Sequence, residues 1–496
     1  MRAARRILAL ASLVATVPFG FAAGVGHAAG ATPGAGAEAS RFDPHPLVAP
    51  PLRALRIPRP ERTTLPNGIV VFLLEDHTFP VVTGTAYVPS SPGLVPDDRV
   101  GLAELTGDAM RRGGSAAHPG DALDDRLAAI GASISTWLSG ELGYGGFRSL
   151  AEHADEVVGL FAEVLARPVF PEDKLQLAKL SLHQEIASRN DEVFPIASRL
   201  ANRAVYGKGS AWARIPEHAS AEAVTRADCQ RLHAQVFVPE RMVLAVYGDF
   251  RGADMKRRLA VAFGGWKKSG TPAPSLPGVG DPVPPRLYFA PKEDVTQSVL
   301  LLAGLGARVD EPDVAALDVV VQALGGGGQS RLNRHIRTER GLAYTTGAEA
   351  GEEYRRPGVF LAWSLTRNDS ALTALELVRG EVAGMLEKPL GDDEFRAAKE
   401  SVENQFVFNF EQRSAPLFRA AYYQVQGYPA DFLSTYQRAL DAVTPASAFA
   451  AARRHIKTGG LAVIVVGKEP AFEHPLEREG LPVERVDITI PPEPDH

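Results

Sequence analysis

The sequence predicts an α+β fold of two homologous domains derived from an internal duplication, each a mainly antiparallel sheet packed with helices. Two repeated features of the 496-residue chain indicate the duplication. Residues 167–173 (RPVFPED) follow an amphipathic helix, and residues 388–393 (KPLGDD) do the same 221 residues later. Residues 224–225 and 443–444 (VT in both) open helices that lead to an apolar run ending in glycine, at an offset of 219. Because two independent matches share nearly one offset, duplication is favoured over coincidence.

The strands are predicted from short apolar runs rich in β-branched residues. In the first half these runs are residues 69–74 and 81–87. The second half has comparable runs at residues 286–290, 298–303 and 359–365. Long helical patterns separate the runs, which is typical of sheets covered by helices.

Breaks in the pattern divide the chain into six segments. One stretch rich in Gly, Ala and Pro precedes residue 60, and another rich in Pro, Gly and Ser lies between residues 268 and 285. The predicted segments are a signal peptide (1–28), a flexible linker (29–60), an N-terminal domain (61–267), a linker (268–285), a C-terminal domain (286–475) and a tail (476–496).

The first 28 residues have the features of an export signal. Three arginines precede an apolar stretch at residues 7–21, and small residues follow where a signal peptidase cuts. The adjacent Arg5 and Arg6 leave a twin-arginine route as the less favoured alternative to general secretion. An uncleaved anchor is disfavoured because the stretch is short for a membrane span and contains Pro18. We expect an exported, periplasmic protein without a stable membrane span after leader cleavage.

Composition, net charge and cysteine content exclude some classes of protein. The formal net charge is -6 and 45% of residues are hydrophobic, which fits an ordinary globular protein. No basic patch indicates nucleic-acid binding. Cys229 is the single cysteine, so no disulfide forms within the chain, and its helical context predicts a small buried residue.

A family resemblance rests on residues 64–68 (TLPNG), residues 101–103 (GLA) opening a helix, and the duplicated second half. Together these residues resemble the pitrilysin or insulinase-like peptidase family over residues 62–469. The resemblance implies that the two domains form one half of a clamshell. In two-chain members, such as mitochondrial processing peptidase, an active zinc-binding chain pairs with an inactive one.

The resemblance also locates the zinc motif of active members, HxxEH, on the helix after residues 101–103. Its two histidines share a helix face and bind zinc, while the glutamate activates water. This chain has Glu104 and Asp108 at the histidine positions and Gly107 at the position of the base. The family's third ligand falls on Glu185, with 76 residues between it and Asp108. The framework is therefore retained while the catalytic ligands are replaced.

The replaced positions leave one metal alternative open. Glu104, Asp108 and Glu185 supply oxygen ligands that suit a hard cation such as calcium better than zinc. We favour instead carboxylates that are solvated or paired with Arg111 and Arg112. Even with a bound metal, Gly107 provides no general base.

Arg337 and Tyr344 match an arginine and tyrosine that the family's second domains carry with six residues between them. The resemblance implies that this pair reaches the substrate carbonyl near zinc, and guanidinium and phenol groups suit that task because both donate hydrogen bonds to an oxyanion. The alternative is structural: an arginine that caps a helix and a tyrosine that starts a buried strand. The surrounding residues favour the functional interpretation.

A run of four glycines precedes this pair. It lacks the GxxxxGK[ST] pattern, which argues against a phosphate loop. The run resembles the start of the substrate-binding glycine-rich loop of the non-catalytic processing-peptidase chain, and a flexible connection is an equally good interpretation. The predicted substrate-binding residues are Gly325, Gly326, Gly327 and Gly328.

These observations predict the non-catalytic subunit of an exported heterodimeric zinc metallopeptidase. Arg337 and Tyr344 act in trans on a peptide or unfolded protein held at the zinc site of an HxxEH partner, and this chain needs no metal of its own. The alternatives are a structural or peptide-binding homologue without proteolytic role, and, less favoured, metal-dependent hydrolysis through the carboxylates. Homodimerisation stays open.

Overall fold

A computed structural model describes residues 59–280 and 284–494. The predicted signal peptide (1–28) and nearly all of the predicted linker (29–60) lie outside the described residues. Within them, no helix is both long and apolar enough to cross a membrane. Residues 59–494 belong to one compact unit that contains both halves of the duplication.

The described part of the first half, residues 59–280, contains six strands and eight α-helices. The strands are β1 (Glu61–Thr64), β2 (Val70–Glu75), β3 (Val81–Pro89), β4 (Ser133–Leu138), β5 (Leu142–Leu150) and β6 (Val243–Gly248). The helices are α1 (Leu102–Gly113), α2 (Gly120–Ala129), α3 (Ala154–Ala166), α4 (Glu172–Ser188), α5 (Val193–Tyr206), α6 (His218–Glu222), α7 (Arg226–Val236) and α8 (Gly252–Gly264). The sheet order is β1-β2-β6-β3-β5-β4, and only β2 and β6 are parallel.

The second half repeats this arrangement. Its strands are β7 (Leu287–Pro291), β8 (Gln297–Leu305), β9 (Ala343–Glu349), β10 (Val359–Arg367), β11 (Ala462–Gly467) and β12 (Val483–Arg485). Its helices are α9 (Val314–Gly325), α10 (Ala371–Gly384), α11 (Asp392–Val407), α12 (Ala415–Gln426), α13 (Phe432–Asp441) and α14 (Pro445–His455). The sheet order is β12-β7-β11-β8-β10-β9, with β11 and β12 parallel to β7.

The predicted fold class is confirmed, and equivalent elements show the duplication directly. The strand β6 corresponds to β11, and the helix α7 corresponds to α14. Both helices start with a capping box, built by Thr225 with Asp228 and by Thr444 with Ser447. These reciprocal hydrogen bonds satisfy the free N–H groups of the first turn, so the VT pairs repeated in the sequence are helix start signals.

One domain boundary read from the sequence needs correction. The residues after 475, assigned to a tail, include Leu476 in the second hydrophobic core and the strand β12 at the sheet edge. The predicted tail therefore starts too early. Sequence alone gave no strong signal here because β12 is only three residues long and parallel pairing depends on a distant partner strand.

The two halves interlock through an exchange of one helix each. Each sheet packs one face on helices of its own half. The other face of the second sheet is covered by α5 from the first half. Reciprocally, α12 from the second half covers the first sheet, where Leu417 and Ala421 pack against Phe72 and Val243. Both faces of each sheet are thus buried, and neither half completes its own core.

Candidate functional site

The helix α1 carries the replaced zinc-motif positions at the edge of the first sheet. The side chain of Glu104 is exposed to solvent on one side, and neighbouring protein atoms partly desolvate its carboxyl. This desolvation raises the pKa of Glu104, and the charge of Glu185 raises it further. Asp108 accepts a hydrogen bond from Arg112 Nε at 2.6 Å. Of the two arginines considered from the sequence, Arg112 therefore neutralises one carboxylate.

The other arginine has a different task. Arg111 donates to the Ile134 carbonyl oxygen and to the Asp124 carboxylate, at 2.8 and 2.5 Å. Arg111 thereby links α1 to β4, and it forms no hydrogen bond or ion pair with Glu104. The pairing predicted for the carboxylates thus involves Arg112 alone.

Glu185 lies on α4, which packs along α1. Burial raises the pKa of its carboxyl, and the charge of Asp108 acts in the same direction. The fold therefore brings Glu104, Asp108 and Glu185 within electrostatic reach of one another. Among the described residues, however, they do not form a group whose ligand atoms all lie within 4.8 Å of one another. The family framework is present, but its three ligand positions do not converge on one point.

Gly107 has a packing role that the sequence did not reveal. A Cβ added at this position would lie 2.4 Å from the Leu138 nitrogen and 2.8 Å from the Trp137 carbonyl carbon. The Gly107 carbonyl oxygen also accepts a hydrogen bond from Thr136 Oγ1 at 2.5 Å. The helix α1 thus lies against the backbone of β4, and the position of a catalytic base is filled by main-chain atoms.

Arg337 and Tyr344 are brought together on the second half. Arg337 lies in the short π-helix Asn333–Thr338, and Tyr344 is the second residue of the edge strand β9. The guanidinium carbon stands 5.3 Å from the centre of the tyrosine ring, a cation–π contact. The tyrosine side chain is 74% exposed, so the ring does not enter the core. Within the described part of the chain, no hydrogen bond or ion pair holds the Arg337 guanidinium.

The four glycines fall into two groups. Gly325 ends α9, and a Cβ there lies 2.3 Å from the Ala348 nitrogen in β9, so close packing accounts for this glycine. Gly326, Gly327 and Gly328 form an exposed turn, which Ser330 closes by donating its hydroxyl to the Gly327 carbonyl oxygen at 2.6 Å. The role of these three in substrate binding stays a prediction.

A further contact between the halves was missed in the sequence. The β9–β10 connection carries Arg355, which donates to the carbonyl oxygens of Ser90 and Glu141 at 3.0 and 3.3 Å. The next residue, Arg356, stacks on the rings of Trp212 and Tyr206 at 4.4 and 5.0 Å. Two adjacent arginines in a loop carry no distinctive sequence signal, since only the fold shows what they contact.

Cys229 is buried, as the sequence predicted. Burial raises the pKa of its thiol to about 11, so the reactive thiolate is scarce at neutral pH. The cysteine therefore has a packing role.

The comparisons with known proteins agree with this geometry. Residues 223–402 match the family described as "Peptidase M16 inactive domain". The structure also resembles that of a peptidase M16 inactive domain from Pseudomonas fluorescens, with a TM-score of 0.73 and 22% identity over 83% of this chain and 98% of that one. The resemblance to the pitrilysin-like peptidases is confirmed.

Proteins similar to this chain come from several organisms. The chain is 21% identical over 360 residues to the uncharacterized zinc protease YmxG of Bacillus subtilis, covering 72% of this chain and 86% of that protein. It is 22% identical to a probable mitochondrial-processing peptidase subunit beta of Arabidopsis thaliana, covering 66% of this chain and 63% of that protein. A protease from Helicobacter pylori shares the fold, with a TM-score of 0.73 at 18% identity over 83% of this chain and all of that one (100%).

Proposed function

We propose that this chain is the non-catalytic subunit of an exported, periplasmic, heterodimeric zinc metallopeptidase. It supplies Arg337 and Tyr344 to a peptide bound at the zinc site of a partner chain that carries HxxEH. The observation that carries the proposal is the contrast between two positions: α1 lacks the zinc ligands and the base, whereas the arginine and tyrosine pair is present and exposed.

The state of α1 supports a role without catalysis by this chain alone. Carboxylates at positions 104 and 108 are poor substitutes for two neutral imidazoles at a zinc ion. One of them is also neutralised by Arg112. Since main-chain atoms of β4 fill the space next to Gly107, no side chain at this position reaches a metal-bound water.

The exposed pair supports a role in trans. Within residues 59–280 and 284–494, the Arg337 guanidinium contacts only a tyrosine ring, so its N–H donors are free of other partners there, and the phenol adds another donor. Such donors stabilise the oxyanion that forms when water attacks a peptide carbonyl. The adjoining strand β9 is at a sheet edge, where unpaired backbone groups bind an extended peptide. Zinc and the general base then belong to the partner.

Reconstitution with an HxxEH chain tests the proposal. The purified chain is mixed with a partner encoded beside it, and peptide cleavage is measured for the complex and for each chain alone. We expect cleavage by the complex only. The variant Arg337→Ala with Tyr344→Phe lowers kcat by about 10²-fold or more, whereas Arg334→Ala, an exposed arginine of the same short helix, leaves it unchanged.

Two outcomes decide between this proposal and its alternative. Full activity in the complex containing the double variant refutes the role of the pair in trans. If no HxxEH chain co-purifies and no reconstituted complex cleaves peptides, the chain is a structural or peptide-binding homologue without proteolytic role.

A further inference from the structure

A second cluster of polar side chains lies where α4, α6 and the C-terminal segment meet. It consists of His183 on α4, His218 at the start of α6 and Glu493 near the C-terminus, and one ligand atom from each lies within 4.8 Å of the others. The two Nδ1 atoms are 2.6 Å apart, and His218 Nδ1 lies 3.8 Å from Glu493 Oε1. Both imidazoles are largely shielded from solvent.

A carboxylate behind His183 fixes the orientation of its ring. Glu222 Oε2 lies 3.4 Å from His183 Nε2, and Lys179 donates to Glu222 Oε1 at 3.0 Å. Glu222 Oε2 is placed to accept the His183 Nε2 proton, and this tautomer leaves the Nδ1 lone pair facing His218.

We propose that His183 Nδ1, His218 Nδ1 and Glu493 Oε1 bind a zinc ion, with water as the fourth ligand. Two imidazoles and one carboxylate are a typical zinc set, and ligand atoms of a tetrahedral zinc ion are about 3.3 Å apart. The two rings lie in nearly parallel planes, 18° apart, and their Nδ1 atoms face each other in a hydrogen bond, so zinc binding requires this bond to break and both rings to turn toward the metal. Glu222 supplies the outer carboxylate that histidine ligands of zinc usually have.

The charges around this cluster distinguish it from two other groups of potential ligands in the described residues. In the group Glu311, Asp313 and His455, Arg454 lies 3.1 and 3.3 Å from the two carboxylates. In the group Glu376, His474 and Glu479, Arg379 lies 3.3 Å from Glu479. A guanidinium thus already neutralises Glu311, Asp313 and Glu479, and it repels a cation. The cluster at His183 alone has two imidazoles.

The cluster is separate from the peptidase position although His183 and Glu185 share α4. Residues two apart on an α-helix point about 200° from each other, so the two side chains lie on opposite faces. The proposed zinc ion thus lies outside the cleft, the region around Glu104, Asp108 and Glu185, and takes no part in peptide hydrolysis. This inference goes beyond the proposed function and does not depend on it.

The position of Glu493 indicates what the metal does. After β12, Val486 and Ile488 pack with α5 and the second sheet, and Ile490 packs against the core of the first half. Asn190 also donates its side-chain amide to the Ile488 carbonyl oxygen. A zinc ion bound by Glu493 fastens the end of this segment to the first half.

A zinc titration tests the site. The untagged full chain is first stripped of metal with a chelator, and zinc binding is then measured by competition with a chromophoric chelator. We expect one equivalent with a Kd below about 1 μM. The variants H183Q and H218Q lose this equivalent. E493Q, at an exposed position that does not affect folding, weakens it at least tenfold, and E222Q weakens it by about 10–100-fold. H455Q is the matched control and keeps wild-type affinity.

Two further measurements separate this site from the cleft. The variant E104Q/D108N/E185Q keeps the zinc equivalent, and zinc slows proteolysis of the C-terminal segment in the wild-type chain but not in E493Q. Absence of a stoichiometric equivalent, or equal loss in H455Q and E493Q, overturns the proposal. Loss of zinc in the triple variant with retention in E493Q assigns the metal to the cleft and overturns it as well.

Discussion

The packing of α1 on β4 makes Gly107 a sharp test of the structure. Glycine in a helix interior is about 1 kcal/mol less stable than alanine, so Gly→Ala in an open helix is stabilising. At Gly107 the added Cβ lies 2.4 Å from the Leu138 nitrogen, and main-chain atoms cannot rotate away as a flexible side chain does. We therefore predict that Gly107→Ala lowers the free energy of unfolding.

The magnitude follows from the distances. Ordinary contact at 3.4 Å requires α1 and β4 to separate by about 1 Å. Overpacking of this kind costs about 1–3 kcal/mol. The separation also stretches the 2.5 Å hydrogen bond from Thr136, worth about 0.5–1.5 kcal/mol. After the gain of about 1 kcal/mol in helix propensity, the net loss is about 0.5–3.5 kcal/mol.

Urea unfolding followed by tryptophan fluorescence measures the change, and Trp137 beside Gly107 reports on the contact itself. The matched control is Gly159→Ala in α3, where a Cβ meets nothing within 4 Å. We expect Gly159→Ala to raise the urea midpoint slightly and Gly107→Ala to lower it. The reason is that backbone atoms of β4 fill the space of the added Cβ at position 107, whereas this space is empty at position 159.

Equal midpoint shifts for the two alanine variants would refute the close approach of α1 and β4.

The same reasoning predicts that E104H/G107E/D108H does not restore peptidase activity, because a glutamate at position 107 displaces the helix. Zinc-dependent cleavage by this triple variant alone would contradict the geometry.

Three other predictions concern separate parts of the molecule. Burial raises the pKa of Glu353 from 4.5 to about 7; Arg356 opposes this shift and Glu141 adds to it. Between these two pH values the folded chain keeps a proton that the unfolded chain loses. The contribution of Glu353 to the free energy of unfolding therefore falls as the pH rises from about 4.5 to about 7. Glu353→Gln should therefore gain stability relative to wild type over that interval, by at most about 1.4 kcal/mol per pH unit, and urea midpoints at pH 5 and 8 check the difference. Leu417→Ala in α12 should cost about 2–5 kcal/mol and loosen the first sheet, seen as faster hydrogen exchange in β3 and β6, and unchanged exchange would contradict the interlock. Arg337→Lys keeps the charge but loses the planar donors, so kcat of the reconstituted complex should fall at least about tenfold, and an unchanged kcat would argue against oxyanion contact.

Local sequence patterns determined much of the fold. The strands β2, β3, β7, β8 and β10 follow from short apolar runs, and the duplication follows from repeated helix starts such as Thr225 and Thr444, whereas the short strand β12 does not. The replaced positions 104, 107 and 108, and the spacing of Arg337 and Tyr344, are likewise visible without coordinates. Each of these features depends on neighbouring residues or on a fixed spacing in the sequence, so a single sequence is enough to predict it.

Only the tertiary structure decided which sheet each helix covers. Amphipathic periodicity shows that α5 and α12 bury a face, but it does not specify the partner surface, and each crosses to the other half. The same limit hid the backbone contact at Gly107 and the cluster of His183, His218 and Glu493. These contacts join residues far apart in the chain, and their energies depend on distances that no local pattern encodes.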